Sequence, residues 1–157
     1  MYSIELADVM KKFLDTVGVI YEFDEEDGGI VFRINQSDKI ESMIFCIDIE
    51  ADFYNMYAIL DNLVITDSNS NLASELVHRL NTITHISRFE FDFENKLVMC
   101  TQALNCNGII PNIDFIEETF SDIISCVNEF AYCFVEAIER NKTPKEIVDN
   151  CEKEMFL

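Results

Sequence analysis

Residues 19–35 read VIYEFDEEDGGIVFRIN, and this stretch decides the fold. Val19, Tyr21 and Phe23 alternate with Ile20, Glu22 and Asp24, and Ile30, Phe32 and Ile34 alternate with Val31, Arg33 and Asn35. A period of two marks a strand with one face buried. Between the runs, Asp24–Gly29 (DEEDGG) offers carboxylates that stay solvated and glycines that accept positive φ. The stretch therefore predicts a β-hairpin.

On its N-terminal side, residues 3–17 predict a helix. Ser3 is the N-cap, Leu6, Met10, Phe13, Leu14 and Val17 recur at spacings of three and four, and Gly18 is a left-handed stop. On its C-terminal side, Glu41–Glu50 predicts a third strand, with Met43, Phe45, Ile47 and Ile49 on one face. A less regular fourth strand falls within Asn55–Ile65. Asp67–Asn71 (DSNSN) is loop and cap chemistry, and Leu72, Ala73, Leu76, Val77, Leu80 and Ile83 define a second helix. A second hairpin places Phe89, Phe91 and Phe93 on one face, turns at Glu94–Lys96, and returns Leu97, Met99 and Thr101 on the phenylalanine side. After a loop at Asn105–Asn112, a long helix runs to about Arg140, with Asp114 and Glu117 as a capping box. Thr143-Pro144-Lys145-Glu146 opens a short last helix carrying Ile147, Val148, Cys151 and Met155.

The order α-β-β-β-β-α-β-β-α-α predicts an α+β fold, an antiparallel β-sheet with helices on one side. The length predicts a single domain over residues 1–157, ending in a helical tail from about residue 143. The alternating runs place fifteen residues, from Val19 to Met99, on an apolar core face that the first and third helices cover. The opposite face is mixed. Ile20, Val31, Ile44, Cys46, Val98 and Cys100 share it with Glu22, Arg33, Asp48, Glu90 and Gln102. In the long helix, Ile113, Ile116, Phe120, Ile123, Val127, Phe130, Phe134 and Ile138 form a near-heptad stripe. Phe115, Ile124, Tyr132 and Val135 widen it, so one edge has apolar area for a second subunit or the C-terminal helix. These ten mixed-face and arc residues form the candidate partner or dimer surface.

Charge narrows the partners. The chain carries 30 Asp+Glu against 11 Lys+Arg, a formal net charge of −19. Such a chain gains nothing from counterion release on nucleic acid and is repelled by anionic membranes. The opening MYSIELADVMKK lacks the basic and apolar regions of a signal peptide, and no apolar run reaches the roughly 20 residues of a membrane span. A cytoplasmic location is expected. The six cysteines contain no C-x-x-C pair and read as buried small hydrophobes in a reducing compartment.

No reaction is written in the residues. The acidic turn fails the EF-hand spacing, because Gly28 takes a ligand position and Asn35 stands where a bidentate Glu is needed. His78 and His85 make no H-E-x-x-H, and G-x-G-x-x-G, P-loop and G-x-S-x-G patterns are absent. A Cys–His nucleophile pair remains an open alternative, since its members need not be close in sequence. No catalytic, metal-ligating or cofactor-binding residue is assigned, and no cofactor is expected.

The opening helix running into Gly18–Asp24, the acid-glycine turn before Ile30-Val31-Phe32, Leu80-Asn81, and Arg88-Phe89-Glu90-Phe91-Asp92 with its hairpin form a familiar series. Over about residues 1–138 the chain resembles the YbjN-like family of candidate bacterial sensory transduction regulators. Their fold is similar to that of type III secretion chaperones. The resemblance implies a non-enzymatic module that binds another protein, as a regulator or adaptor, with homodimerisation as one use of its apolar surface. A dedicated secretion chaperone and a small acid or thiol enzyme are the alternatives.

Overall fold

A computed structural model describes residues 1–35 and 42–155. The elements are α1 (Ile4–Val17), β1 (Tyr21–Phe23), β2 (Gly29–Ile34), β3 (Met43–Ile49), β4 (Phe53–Ile59), α2 (Ser70–Leu80), β5 (Arg88–Asp92), β6 (Leu97–Asn105), α3 (Ile113–Arg140) and α4 (Pro144–Met155). The order matches the sequence reading. The expected start of the third strand at Glu41 lies outside the described residues.

Local chemistry sets the boundaries. Ser3 Oγ accepts from the Leu6 amide at 3.2 Å, and Gly18 stops α1 at φ +74 with its N–H on the last carbonyls. In the first turn Asp24 Oδ1 accepts from the amides of Glu26 and Asp27, so this acid organises the loop. Thr143 and Glu146 form the expected capping box, each side chain accepting from the other's amide. The long helix differs from expectation. Its N-cap is Asn112, whose Oδ1 accepts from the Phe115 amide at 2.9 Å, and Asp114 sits in the first turn. A capping box on Asn112 would need an acid at position 115, where Phe stands.

The strands form one antiparallel sheet in the order β1-β2-β3-β4-β6-β5. Ile30, Phe32, Met43, Phe45, Ile47, Ile49, Tyr54, Met56 and Ala58 are buried on its inner face. Phe120 of α3 sits among Phe13, Phe32 and Phe45, with ring centroids 5.4, 6.3 and 4.9 Å away. Phe134 covers Phe89 at 5.2 Å. Tyr54 is fully buried and reaches Thr119 Oγ1 at 3.2 Å, which gives its hydroxyl a partner. Helix α2 packs on β5, α3 and α4, so it does not cover the mixed outer face.

One strand is inverted relative to expectation. Phe91 pairs with Val98 and Phe89 with Cys100, which puts Val98 and Cys100 in the core, both 0% exposed. Leu97 and Met99 stand opposite Asp92 and Glu90 on the outer side. The connection holds four residues, 93–96, where a three-residue turn was expected. One residue of slip turns every side chain of a strand over. Phe93 leaves the strand and is 53% exposed.

Candidate functional site

The outer sheet face brings three of the expected surface residues together. Ile20, Val31 and Ile44 line a shallow depression of about 300 Å³ with Glu22 and Arg33. Cys46 lies on the same face but is only 7% exposed, opposite its cross-strand neighbour Tyr57. Burial pushes the Cys46 thiol and the Tyr57 phenol up. Val98 and Cys100 are interior residues and cannot serve as surface.

A second concavity follows α3. A groove of about 750 Å³ opens between α3 and α4, lined by Phe130, Tyr132, Val135, Cys151 and Met155 with Glu129, Glu136, Arg140 and Glu154. A depression of about 290 Å³ adjoins it and shares Glu129, Phe130 and Met155. Its far wall is the α2–β5 connection, including His85 and Ile86. Phe130 is buried and forms the floor, while Met155 and Ile86 are 42% and 66% exposed on the walls. From Asp122 to Arg140 this trough follows about 27 Å of helix. Glu136 is ion-paired with Arg140 and Lys142, whereas Asp122, Glu129 and Glu154 have no ion pair among the described residues. The trough thus has an apolar floor and an acidic rim.

The wide apolar arc of α3 explains it. Tyr132 and Val135 face the groove, with the Tyr132 hydroxyl 3.3 Å from Cys151 Sγ on α4. The arc therefore meets the C-terminal helix. Ile124 is partly buried against the core, and Phe115 is 43% exposed near the start of α3, outside the groove. Sequence reasoning missed Ile86, a single apolar residue beyond the periodic stripes, and set Met155 on the last helix without assigning it to a surface; only the fold puts the two on one trough.

Thiols and histidines complete the polar inventory. Cys133 and Cys151 have their Sγ atoms 3.5 Å apart across the α3–α4 contact. His85 shares its depression with Cys126, Asp122 and Glu129, but no hydrogen bond joins these groups, and Cys126 is a free thiol. A nucleophile needs its base within hydrogen-bond reach. His78 lies in a separate cleft between α2 and α4. Among the described residues no cluster of His, Cys, Asp and Glu is arranged to hold a metal ion, and no helix is long and apolar enough to cross a membrane.

No protein-family model and no curated protein matches the chain. Solved structures do. An uncharacterized protein from Methanothermobacter thermautotrophicus superposes with a TM-score of 0.55 at 14% identity, covering 85% of this chain and 99% of that one. YbjN from E. coli, described as a candidate transcription regulator, gives a TM-score of 0.53 at 11% identity over 80% of this chain and 91% of its own. The fold is YbjN-like. At such identities the likeness concerns backbone architecture alone.

Proposed function

We propose that this protein is a non-enzymatic, cytoplasmic regulator or adaptor that acts by binding a segment of another polypeptide. The observation that carries this reading is the continuous trough along α3. Exposed apolar walls beside a buried aromatic floor suit the apolar stripe of an amphipathic helix. The unpaired carboxylates of the rim favour a helix with lysine or arginine flanking that stripe, and the net charge of −19 adds long-range attraction. The YbjN-like fold supports a regulator. A secretion chaperone shielding its cargo is a narrower form of the same activity.

The test is a fluorescent amphipathic peptide of about 18 residues, matched to the trough length, with a basic polar face. Binding is expected to weaken with salt and to fall at least about tenfold, roughly 1.4 kcal/mol, in Glu129→Lys and in Met155→Glu. Val31→Lys on the outer sheet face should bind like the parent. Equal loss in all three variants, or binding indifferent to them all, overturns the trough as the site.

A further inference from the structure

We propose that Cys133 and Cys151 form a thiol-oxidation site at which a peroxide makes a disulfide that staples α4 to α3. The pair is already in contact at 3.5 Å, and bond closure asks the sulfurs to approach by about 1.5 Å. The two thiols come from different helices and are separated by 18 positions, so the bond constrains tertiary structure. Helix α4 buries only Pro144, Ile147, Val148 and Cys151, and is the element for which one covalent tie changes most.

The two sulfurs have distinct roles. Cys151 is 4% exposed and lines the α3–α4 groove, where its sulfur offers the edge a small oxidant can reach, whereas Cys133 is 0% exposed and does not line it. Donation from the Cys133 S–H holds Cys151 below the ordinary thiol value against its desolvation, and the Tyr132 hydroxyl adds to this. The same hydrogen bond raises Cys133. Cys151, on the groove side, is therefore the attacking thiol and Cys133 the resolving one. The Cys151 thiolate attacks one peroxide oxygen. An S–O bond forms, the O–O bond breaks, and the departing hydroxide takes a proton to leave as water. Cys133 sulfur then attacks the Cys151 sulfenic acid. The S–S bond forms, the S–O bond breaks, and hydroxide leaves with the Cys133 proton as a second water. Two thiols are oxidised and one peroxide is reduced to two waters.

The experiment treats the reduced full chain with hydrogen peroxide and maps its peptides by mass spectrometry. The expected product has lost two hydrogens, contains a cross-linked peptide joining Cys133 and Cys151, and returns to the starting mass with dithiothreitol. Its α4 amides should exchange more slowly than those of the reduced chain. In Cys133→Ser the cross-link should vanish and dimedone should label Cys151. Should that variant not fold, the cross-link map of the unmodified sequence decides. A bond between other cysteines, Cys100 and Cys126 above all, or sulfinic and sulfonic products without a cross-link, overturns the proposal.

Discussion

The side-chain amide of Asn81 pairs with both backbone groups of Phe89, its Nδ2 donating to the carbonyl and its Oδ1 accepting from the amide, each at 2.8 Å. Asn81 caps the end of α2, and Phe89 lies in β5, the last strand of the sheet. An edge strand presents unpaired N–H and C=O groups. Here one side chain acts as a short piece of neighbouring strand and ties helix to edge. Replacing Asn81 with Ala leaves a part-buried donor and acceptor without partners, and should cost about 1–3 kcal/mol. Asn81→Asp keeps the acceptor but sets a carboxylate oxygen against the Phe89 carbonyl, and should cost no less. Urea unfolding of the three proteins checks both. Unchanged midpoints would mean that the edge is held by packing alone.

The inverted register of β6 makes a second prediction. Val98 is fully buried, while Met99 faces outward opposite Glu90. Val98→Lys buries an unpaired ammonium and should destabilise by at least about 3 kcal/mol, or prevent folding. Met99→Lys places its charge on the outer face beside Glu90, and should cost less than about 1 kcal/mol. The opposite ranking in thermal melts would show that the four-residue connection does not set the register.

That strand also shows where sequence reasoning stops. Helix α1, the first hairpin and β3 were readable because burial on one face imposes a period that any reader can count. Phe89 and Phe91 were equally plain. The return strand was not, because Leu97-Val98-Met99-Cys100 is apolar at every position and the side facing the core depends on the length of the turn. The candidate site was less readable still. Tyr132 and Val135 could be picked from the wide arc of α3, with the C-terminal helix as one of two candidate partners, but the adjoining depression against the α2–β5 connection is a product of topology. The Cys133–Cys151 contact has the same origin, since a separation of 18 positions carries no local signal.

Gly28 and Gly18 share a left-handed backbone, at φ +79 and +74, but not the same surroundings. A Cβ on Gly18 meets no atom within 4 Å, so Gly18→Ala should cost only the conformational penalty of about 1–2 kcal/mol. A Cβ on Gly28 would lie 2.4 Å from Cγ of Tyr2, whose ring packs edge-on against Phe23 at 5.8 Å. Gly28→Ala must therefore displace Tyr2 as well as strain the turn, and should be the costlier by about 1 kcal/mol or more. Equal denaturation midpoints for the two variants would contradict the packing of the N-terminal residues on the hairpin.

The junction of α3 and α4 should weaken in acid. Lys142, and with it Arg140, holds the Glu136 carboxyl below its ordinary value. Thr143 does the same for Glu146 within the capping box, and Lys145 for Asp149. A carboxylate with a lowered folded-state pKa contributes stability that is complete above its unfolded pKa, and that contribution is lost as pH falls through the folded value. Asp48 works in the opposite sense. Burial raises it, so its charged form opposes folding as pH rises. Comparing the protein with Glu136→Gln cancels Asp48 and the general relief of repulsion on protonation. The two melting temperatures should differ most near neutral pH, and the gap should close below about pH 4, as the carboxylate takes up its proton. A gap of constant size across that range would show that Glu136 acts through packing and not through its charge.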